Sequence, residues 1–185
     1  MRSLFTTILL FTLHGCANYP IETEIQESAQ FCLGNSNLPE DLASEFEPVD
    51  DEQLLNKALG NPNEAKLCQG QFYKSKAGAE VTLFRAWNST NPNSKFGKWW
   101  AFREPAGRIS TYRADYEICY QWSPLDKLVI CTLKPETSVI VGTGQSTECS
   151  EYLTYSVSAA KQIYIDDASL SVANCTEFDG EFSWK

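Results

Sequence analysis

Residues 83–102, LFRAWNSTNPNSKFGKWWAF, contain the pattern that decides the predicted fold. The stretch begins inside an apolar, alternating run, AEVTLFRAW, which predicts a strand with Arg85 near its end. A loop of Asn, Ser, Pro and Gly follows, and KWWAF then predicts a second, short strand. Neighbouring residues of a strand point to opposite faces, so we expect one of Trp99 and Trp100 in the core and the other free to stack.

The rest of the chain predicts more strands and a few helices. KLVICTL, TSVIVGTG and KQIYIDD are short apolar or alternating runs between turn-forming residues, which is typical of strands. DDEQLLNKALGNPNE predicts a short helix, with Asp50 or Asp51 as its N-cap and Gly60 as its stop. REPAGRISTYRADYEIC predicts a second helix after Pro105. The fold class is therefore α+β, strand-dominated, with one or two helices in the first half.

The first seventeen residues predict export. MRSLFTTILLFTLHGCA has an early cation, an apolar run and small residues, and it is too short to span a membrane. LHGC is similar to the lipobox of bacterial lipoproteins, which predicts lipidation at Cys16; signal cleavage after Ala17 is the alternative. We therefore expect a lipoprotein of the bacterial outer membrane or periplasm, or a secreted protein. In either case only an N-terminal lipid would contact the membrane.

The length and the remaining composition divide the mature chain in two. Residues 18–50 are rich in Glu, Asp, Ser and Pro, which predicts an acidic tether. The chain has 185 residues, of which 43% are hydrophobic, so we expect residues 51–185 to form a single domain. The 24 acidic and 15 basic residues give a net charge of −9, which argues against nucleic acid or an anionic membrane as a partner.

The cysteines predict a domain linked by disulfides. Setting Cys16 aside leaves an even set of six, which in an exported chain indicates three disulfides, and no CxxC spacing suggests a metal or redox motif. These six are Cys32, Cys68, Cys119, Cys131, Cys149 and Cys175. Pairing each cysteine with its neighbour predicts Cys32 with Cys68, Cys119 with Cys131, and Cys149 with Cys175. Other connectivities remain compatible with the spacing.

The histidine content restricts the chemistry. The only histidine, His14, lies in the predicted export segment, so the mature chain has no imidazole. This excludes Ser-His-Asp and Cys-His nucleophiles and histidine-ligated metal centres, and we predict no metal site. Catalysis would have to use carboxylates, Arg, Lys, Tyr, hydroxyls or amides. Such groups suit reactions in which they position a substrate and stabilise charge, such as glycosidic cleavage through an oxocarbenium-like state.

Several polar side chains are candidates for a site. Arg85, near a strand end, could fork onto a carboxylate or a phosphate; a structural ion pair is the alternative. Gln162, Tyr164 and Asp166 share one strand face, which is unusually polar unless it is an exposed edge. Arg113 lies between two tyrosines in TYRADY, where a simple helix face is the alternative. For the two tryptophans the alternative is core packing.

The order of these motifs resembles a known family. An Arg on an early strand, then GKWWAF, then LKPETSVIVGTGQS and finally QIYI resemble the ADP-ribosyltransferase-like fold of secreted bacterial toxins, especially the glutamine-dependent NAD glycohydrolase toxins. The resemblance covers roughly residues 80–166 and implies a split sheet. It also implies NAD as the substrate, and possible partners in a protein acceptor or an immunity protein.

The resemblance assigns roles to six residues of this chain. It implies that Arg85 grips the NAD phosphates, and that Gln162 acts beside the scissile N-glycosidic bond. It places Gly97, Trp99, Trp100 and Phe102 beside the nicotinamide. Tyr164 stands two residues after Gln162, where transfer to a protein would require Glu, so hydrolysis of NAD or binding without turnover is implied instead. The alternative function is a non-enzymatic, disulfide-stabilised surface lipoprotein that binds a protein or a ligand.

Overall fold

The computed structural model describes residues 31–179. The predicted export segment, with Cys16, and residues 18–30 lie outside the described residues. The described chain folds into an eight-stranded antiparallel sheet, a two-stranded hairpin and a few short helices, which confirms the strand-dominated α+β class. None of the helices within residues 31–179 is long and apolar enough to cross a membrane.

Short helices lie between the strands of the described region. The three α-helices are α1 (Glu52–Ala58), α2 (Ile109–Asp115) and α3 (Ala168–Ser171), and two 3-10 helices span Glu40–Glu45 and Pro92–Phe96. The strands are β1 (Phe46–Pro48), β2 (Leu67–Ser75), β3 (Val81–Trp87), β4 (Trp99–Ala101), β5 (Lys127–Leu133), β6 (Ser138–Gly144), β7 (Thr147–Ser150), β8 (Leu153–Tyr155), β9 (Lys161–Tyr164) and β10 (Val172–Asp179). The sheet order is β1-β2-β6-β9-β4-β3-β5-β10, and β7 pairs with β8.

The five strands predicted from apolar or alternating runs are all present, as β3, β4, β5, β6 and β9. The first helix is also confirmed: the Asp51 carboxylate caps α1 by accepting from the Leu54 N–H at 3.0 Å. The second helix, α2, begins only at Ile109, four residues later than Pro105. The pattern did not predict β2, because Gln69, Gly70 and Gln71 interrupt its apolar run.

The two faces of the sheet are covered differently. On one face, which we call the helical face, α1 packs on β2, β6 and β9, and α2 packs near Ala86 of β3. The opposite face carries the larger apolar cluster, with Trp100, Ile163 and Val129 among its fully buried members. Because side chains alternate along each strand, β3, β4 and β9 supply residues to both faces.

Part of the predicted acidic tether belongs to the folded domain. Phe46 of β1 is 3% exposed and packs edge-to-face against Tyr73 and Phe102. The 3-10 helix before it contributes Leu42 to the same apolar cluster, and Cys32 is disulfide-bonded to Cys68. Residues 31–50 therefore cover one edge of the sheet in addition to carrying acidic charge.

The three disulfides are present, which indicates folding in an oxidising compartment, but two predicted pairings are wrong. Cys32 pairs with Cys68 as expected, whereas the other two bonds join Cys119 to Cys149 and Cys131 to Cys175. Strand order explains the exchange: β5 and β10 are neighbours in the sheet although they are distant in sequence. The irregularity in their register between Ala173 and Thr176 brings Cys175 beside Cys131.

The Cys131–Cys175 bond is expected to anchor the edge strand β10. Replacing both cysteines with Ala should lower the free energy of unfolding by about 2–4 kcal/mol, because the cross-link restricts the unfolded chain. Chemical denaturation followed by tryptophan fluorescence measures the change. Leu170→Ala, at a side chain that is 70% exposed, is the control and should leave stability unchanged. A double variant as stable as the parent chain would contradict this role.

Candidate functional site

A pocket of about 240 Å³ lies between the helical face of the sheet and the chain that follows α2. Arg85, Trp99, Trp100 and Gln162, four of the residues proposed from the sequence, all line it. Several of its lining residues are aromatic. They are Trp87, Trp99, Trp100, Tyr112, Tyr116 and Trp122, of which Trp87 and Trp100 belong to the apolar cluster on the opposite face. Trp122 is 50% exposed and therefore lies at the solvent side of the pocket.

The pocket forms where two neighbouring strands diverge. β3 and β4 pair at a single position, Phe84 with Ala101, whereas β4 pairs with β9 along its whole length. Beyond that position β4 has no backbone register partner on β3. Next to Gln162 on the helical face are two small residues, Ala101 and Gly142, which leave room above the sheet. The way in which the strands pair therefore determines where the pocket lies.

Arg85 fills the opening between β3 and β4. Its Nε donates to the Ser94 carbonyl at 2.8 Å and its Nη1 donates to the Trp99 carbonyl. Among the described residues no carboxylate pairs with this guanidinium, and burial lowers the pKa of Arg85 to about 10. A partly satisfied, desolvated cation attracts anionic ligands. The site therefore offers a positive charge that no carboxylate within residues 31–179 neutralises.

Gly97 permits this position of Arg85. A Cβ at Gly97 would lie 2.3 Å from Arg85 Nη2, far inside van der Waals contact. Gly97 does not line the pocket itself, so its contribution is to leave space for the guanidinium. Gly97 and Arg85 are therefore linked, because the missing side chain of Gly97 leaves the space that the Arg85 guanidinium occupies.

A buried carboxyl group, Glu117, stands beside Gln162. Gln162 is 6% exposed and its Nε2 donates to Glu117 Oε2 at 2.7 Å. Glu117 is 2% exposed, lines the pocket, and has no hydrogen-bond partner for Oε1 among the described residues. Burial raises the pKa of Glu117 to about 8, against the opposing effect of the Ser158 and Gln162 side chains. At neutral pH this carboxyl is therefore mostly protonated.

The backbone directs Glu117 onto the sheet. α2 ends at Asp115, and Glu117 has a φ of 48°, a left-handed conformation that usually favours Gly or Asn. The side chain lies flat on Gly144 of β6, where a Cβ would be 1.8 Å from Oε2. A left-handed residue with a buried acid is a costly combination, which is typical of a functional position.

The loop after α2 is held in place by two further elements. Arg113 donates to the carbonyls of Ile118, Cys119 and Ser123, the last at 2.6 Å. The Cys119–Cys149 disulfide ties the same loop to β7. Arg113, a candidate from the sequence, therefore braces the pocket wall and does not line the pocket.

The structure separates the predicted aromatic residues. Trp100 is 2% exposed in the core and its Nε1 donates to the Gly97 carbonyl at 2.8 Å, whereas Trp99 packs against Tyr164 on the helical face. The expectation that the two tryptophans face opposite ways is confirmed. Phe102 lies in the opposite-face core against Phe46 and is not among the residues that line the pocket.

Sequence reasoning missed Glu117, Tyr112 and Tyr116 as pocket residues. Burial raises the pKa of Tyr112 well above its usual value and that of Tyr116 to about 12, so both phenols are neutral. The motif TYRADYE carries all three residues, but it gives no sign that a left-handed turn directs the Glu onto the sheet.

The titration of Glu117 should be visible in the stability of the chain. Its pKa is raised on folding, so its contribution is fully present below about pH 4.5 and is lost as pH rises through about 8. The free energy of unfolding of the parent chain should therefore fall by a few kcal/mol relative to Glu117→Gln between about pH 5 and 9. Denaturant titrations across that range measure it. Parallel pH profiles for the two proteins would contradict a buried, protonated Glu117.

Comparisons with known proteins add no further constraint on this site. Family models, curated proteins and solved structures give no match to the chain. No group of three or more His, Cys, Asp or Glu within residues 31–179 is arranged to hold a metal ion. The candidate function therefore rests on the geometry of the pocket.

Proposed function

We propose that this chain is an exported enzyme that hydrolyses the nicotinamide N-glycosidic bond of NAD. The observation that carries the proposal is the convergence of Arg85, Trp99 and Gln162 on one pocket, although they come from three different strands. They include a cation, a flat aromatic surface and an amide. A substrate with phosphates, a planar ring and a ribose needs such groups at one place.

The size and charge of the pocket suit one end of such a molecule. About 240 Å³ is small for a ligand site, so the pocket would enclose the nicotinamide end and leave the adenosine half outside. Arg85 would take a phosphate, since its charge has no carboxylate partner in the described region. Trp99 would lie against the nicotinamide, and Gln162 would position that ring.

The reaction needs little acid or base catalysis from the protein. The C–N bond to the ribose breaks and its electron pair returns to the positively charged pyridinium nitrogen, so nicotinamide leaves without taking up a proton. Water adds to the ribose carbon and releases one proton to solvent. Positioning and charge stabilisation can supply most of the acceleration, so the absence of histidine from the mature chain is compatible with this activity.

The disulfides and the predicted export segment together indicate the compartment in which this activity would take place. The three disulfides require an oxidising compartment. We propose that the chain is exported and is either retained by a lipid on Cys16 or released after cleavage at Ala17. The acidic residues after this segment would then keep the domain away from an anionic surface.

A second candidate is a binding module without turnover. Gln162 already donates its amide to Glu117, and both side chains are almost fully buried, which also suits a fixed recognition pocket. In that case NAD or a related compound would bind without losing nicotinamide.

Nicotinamide release from NAD by the disulfide-bonded chain tests the two candidates. Gln162→Ala should reduce release about a hundredfold, because a misplaced reacting bond loses that much rate. Gln71→Ala, at an exposed position on β2, is the matched control and should leave the rate unchanged. Equal release by both variants would contradict the role of Gln162, and no release from the folded parent chain would contradict hydrolysis. Saturable NAD binding without release would favour the second candidate.

Arg85 has its own expected signature. Arg85→Lys should raise the KM for NAD about tenfold, because lysine cannot donate to both carbonyls and to a phosphate in one plane. Arg103→Lys is the control, since Arg103 makes an exposed pair with Asp41. Steady-state kinetics at fixed ionic strength measure both variants. An unchanged KM for Arg85→Lys would argue against phosphate binding at this position.

A further inference from the structure

We propose that Glu117 and Gln162 together form a recognition site for a primary carboxamide attached to a planar ring. The inference rests on the proposed function only in naming nicotinamide as the natural source of that group. It assigns the recognition to the two buried side chains rather than to backbone groups. Within this pair, Glu117 Oε1 is the atom that is buried without a hydrogen-bond partner among the described residues.

The geometry leaves one donor and one acceptor available in the pocket. The Gln162 amide nitrogen donates to Glu117 Oε2, which leaves its side-chain carbonyl oxygen as the acceptor that this amide can offer to a ligand. Glu117 Oε1 is buried without a hydrogen-bond partner among the described residues, and the nearby Ser158 hydroxyl, which acts to lower the pKa of Glu117, donates to the Asp115 carbonyl at 2.6 Å. An unsatisfied buried carboxyl oxygen is destabilising unless a ligand pairs with it.

A primary carboxamide complements these two atoms. Its carbonyl oxygen can accept from a protonated Glu117 Oε1, while its N–H donates to the Gln162 carbonyl oxygen. The aromatic walls, among them Trp99 and Tyr116, favour a flat ring as the carrier of this group. A ring with a methyl ketone in place of the amide keeps the acceptor but lacks the N–H, so it would lose the contact with Gln162.

The protonation of Glu117 sets the pH range of this recognition. Burial raises the pKa of Glu117 to about 8, and the adjacent Asp115 carboxylate acts in the same direction. Among the described residues that line the pocket, Arg85 is the only cation, and Tyr112 and Tyr116 are neutral. β6 presents uncharged Gly144 and β9 presents Gln162. Above about pH 8 the carboxyl loses its proton and can no longer donate, so affinity for the carboxamide should decrease as pH rises.

Calorimetric titration with nicotinamide and with 3-acetylpyridine tests the proposal. The parent chain at pH 7 should bind nicotinamide about tenfold more tightly than 3-acetylpyridine, which corresponds to one hydrogen bond. Glu117→Met, with a side chain of similar length, should weaken nicotinamide binding about tenfold. Glu117→Gln offers a permanent N–H donor, so it should retain binding and lose the decrease above about pH 8.

The outcomes separate this inference from hydrolysis. Equal affinities for the two ligands, or unchanged nicotinamide binding in a folded Glu117→Met variant, would overturn the carboxamide site. So would a pH profile that Glu117→Gln does not alter. If nicotinamide binds with the expected preferences but NAD is not cleaved, the carboxamide site stands and the proposed hydrolysis fails. Circular dichroism of each variant identifies any loss of binding that comes from unfolding.

Discussion

The pocket depends on a backbone requirement at the point where β3 and β4 separate. Buried carbonyl groups need hydrogen-bond donors, and β4 meets β3 at one residue pair only. Arg85 supplies donors to the Trp99 and Ser94 carbonyls at that opening, so one side chain completes the sheet where the strands no longer can. The same arrangement brings a cation to the pocket, and no carboxylate in the described part of the chain pairs with it. The side chain that completes the hydrogen bonding of the sheet is therefore the same one that gives the pocket its positive charge.

A second constraint lies across the pocket, where Glu117 is pressed onto β6. Its left-handed backbone and the missing side chain of Gly144 let the carboxyl lie against the sheet, and Gln162 pairs with one of its oxygens. Around it, Arg113 and the Cys119–Cys149 bond fix the loop that covers this corner. A carboxyl held in such a place is neutral near pH 7, so Arg85 remains the dominant charge of the pocket.

Much of the framework could be predicted from the sequence, because local patterns carry it. The alternation in AEVTLFRAW and KQIYIDD predicted β3 and β9, and the Asp51 cap predicted the start of α1. Trp99 and Trp100 face opposite ways because strand alternation requires it. By contrast, β2 and β10 contain polar residues that the period-two pattern does not explain, and their pairing with β6 and β5 is what makes them strands.

The sequence by itself determined the strand-dominated class, the even set of six cysteines and the candidates Arg85, Trp99 and Gln162. These follow from residue types and short spacings, which act locally along the chain. Only the tertiary structure decided which cysteines pair, that Phe102 lies in the core, and that Glu117 joins Gln162 in the pocket. Those facts depend on strand order and on one left-handed turn, which bring together residues 45 positions apart. No local pattern contains that information, because it arises only when the sheet is assembled.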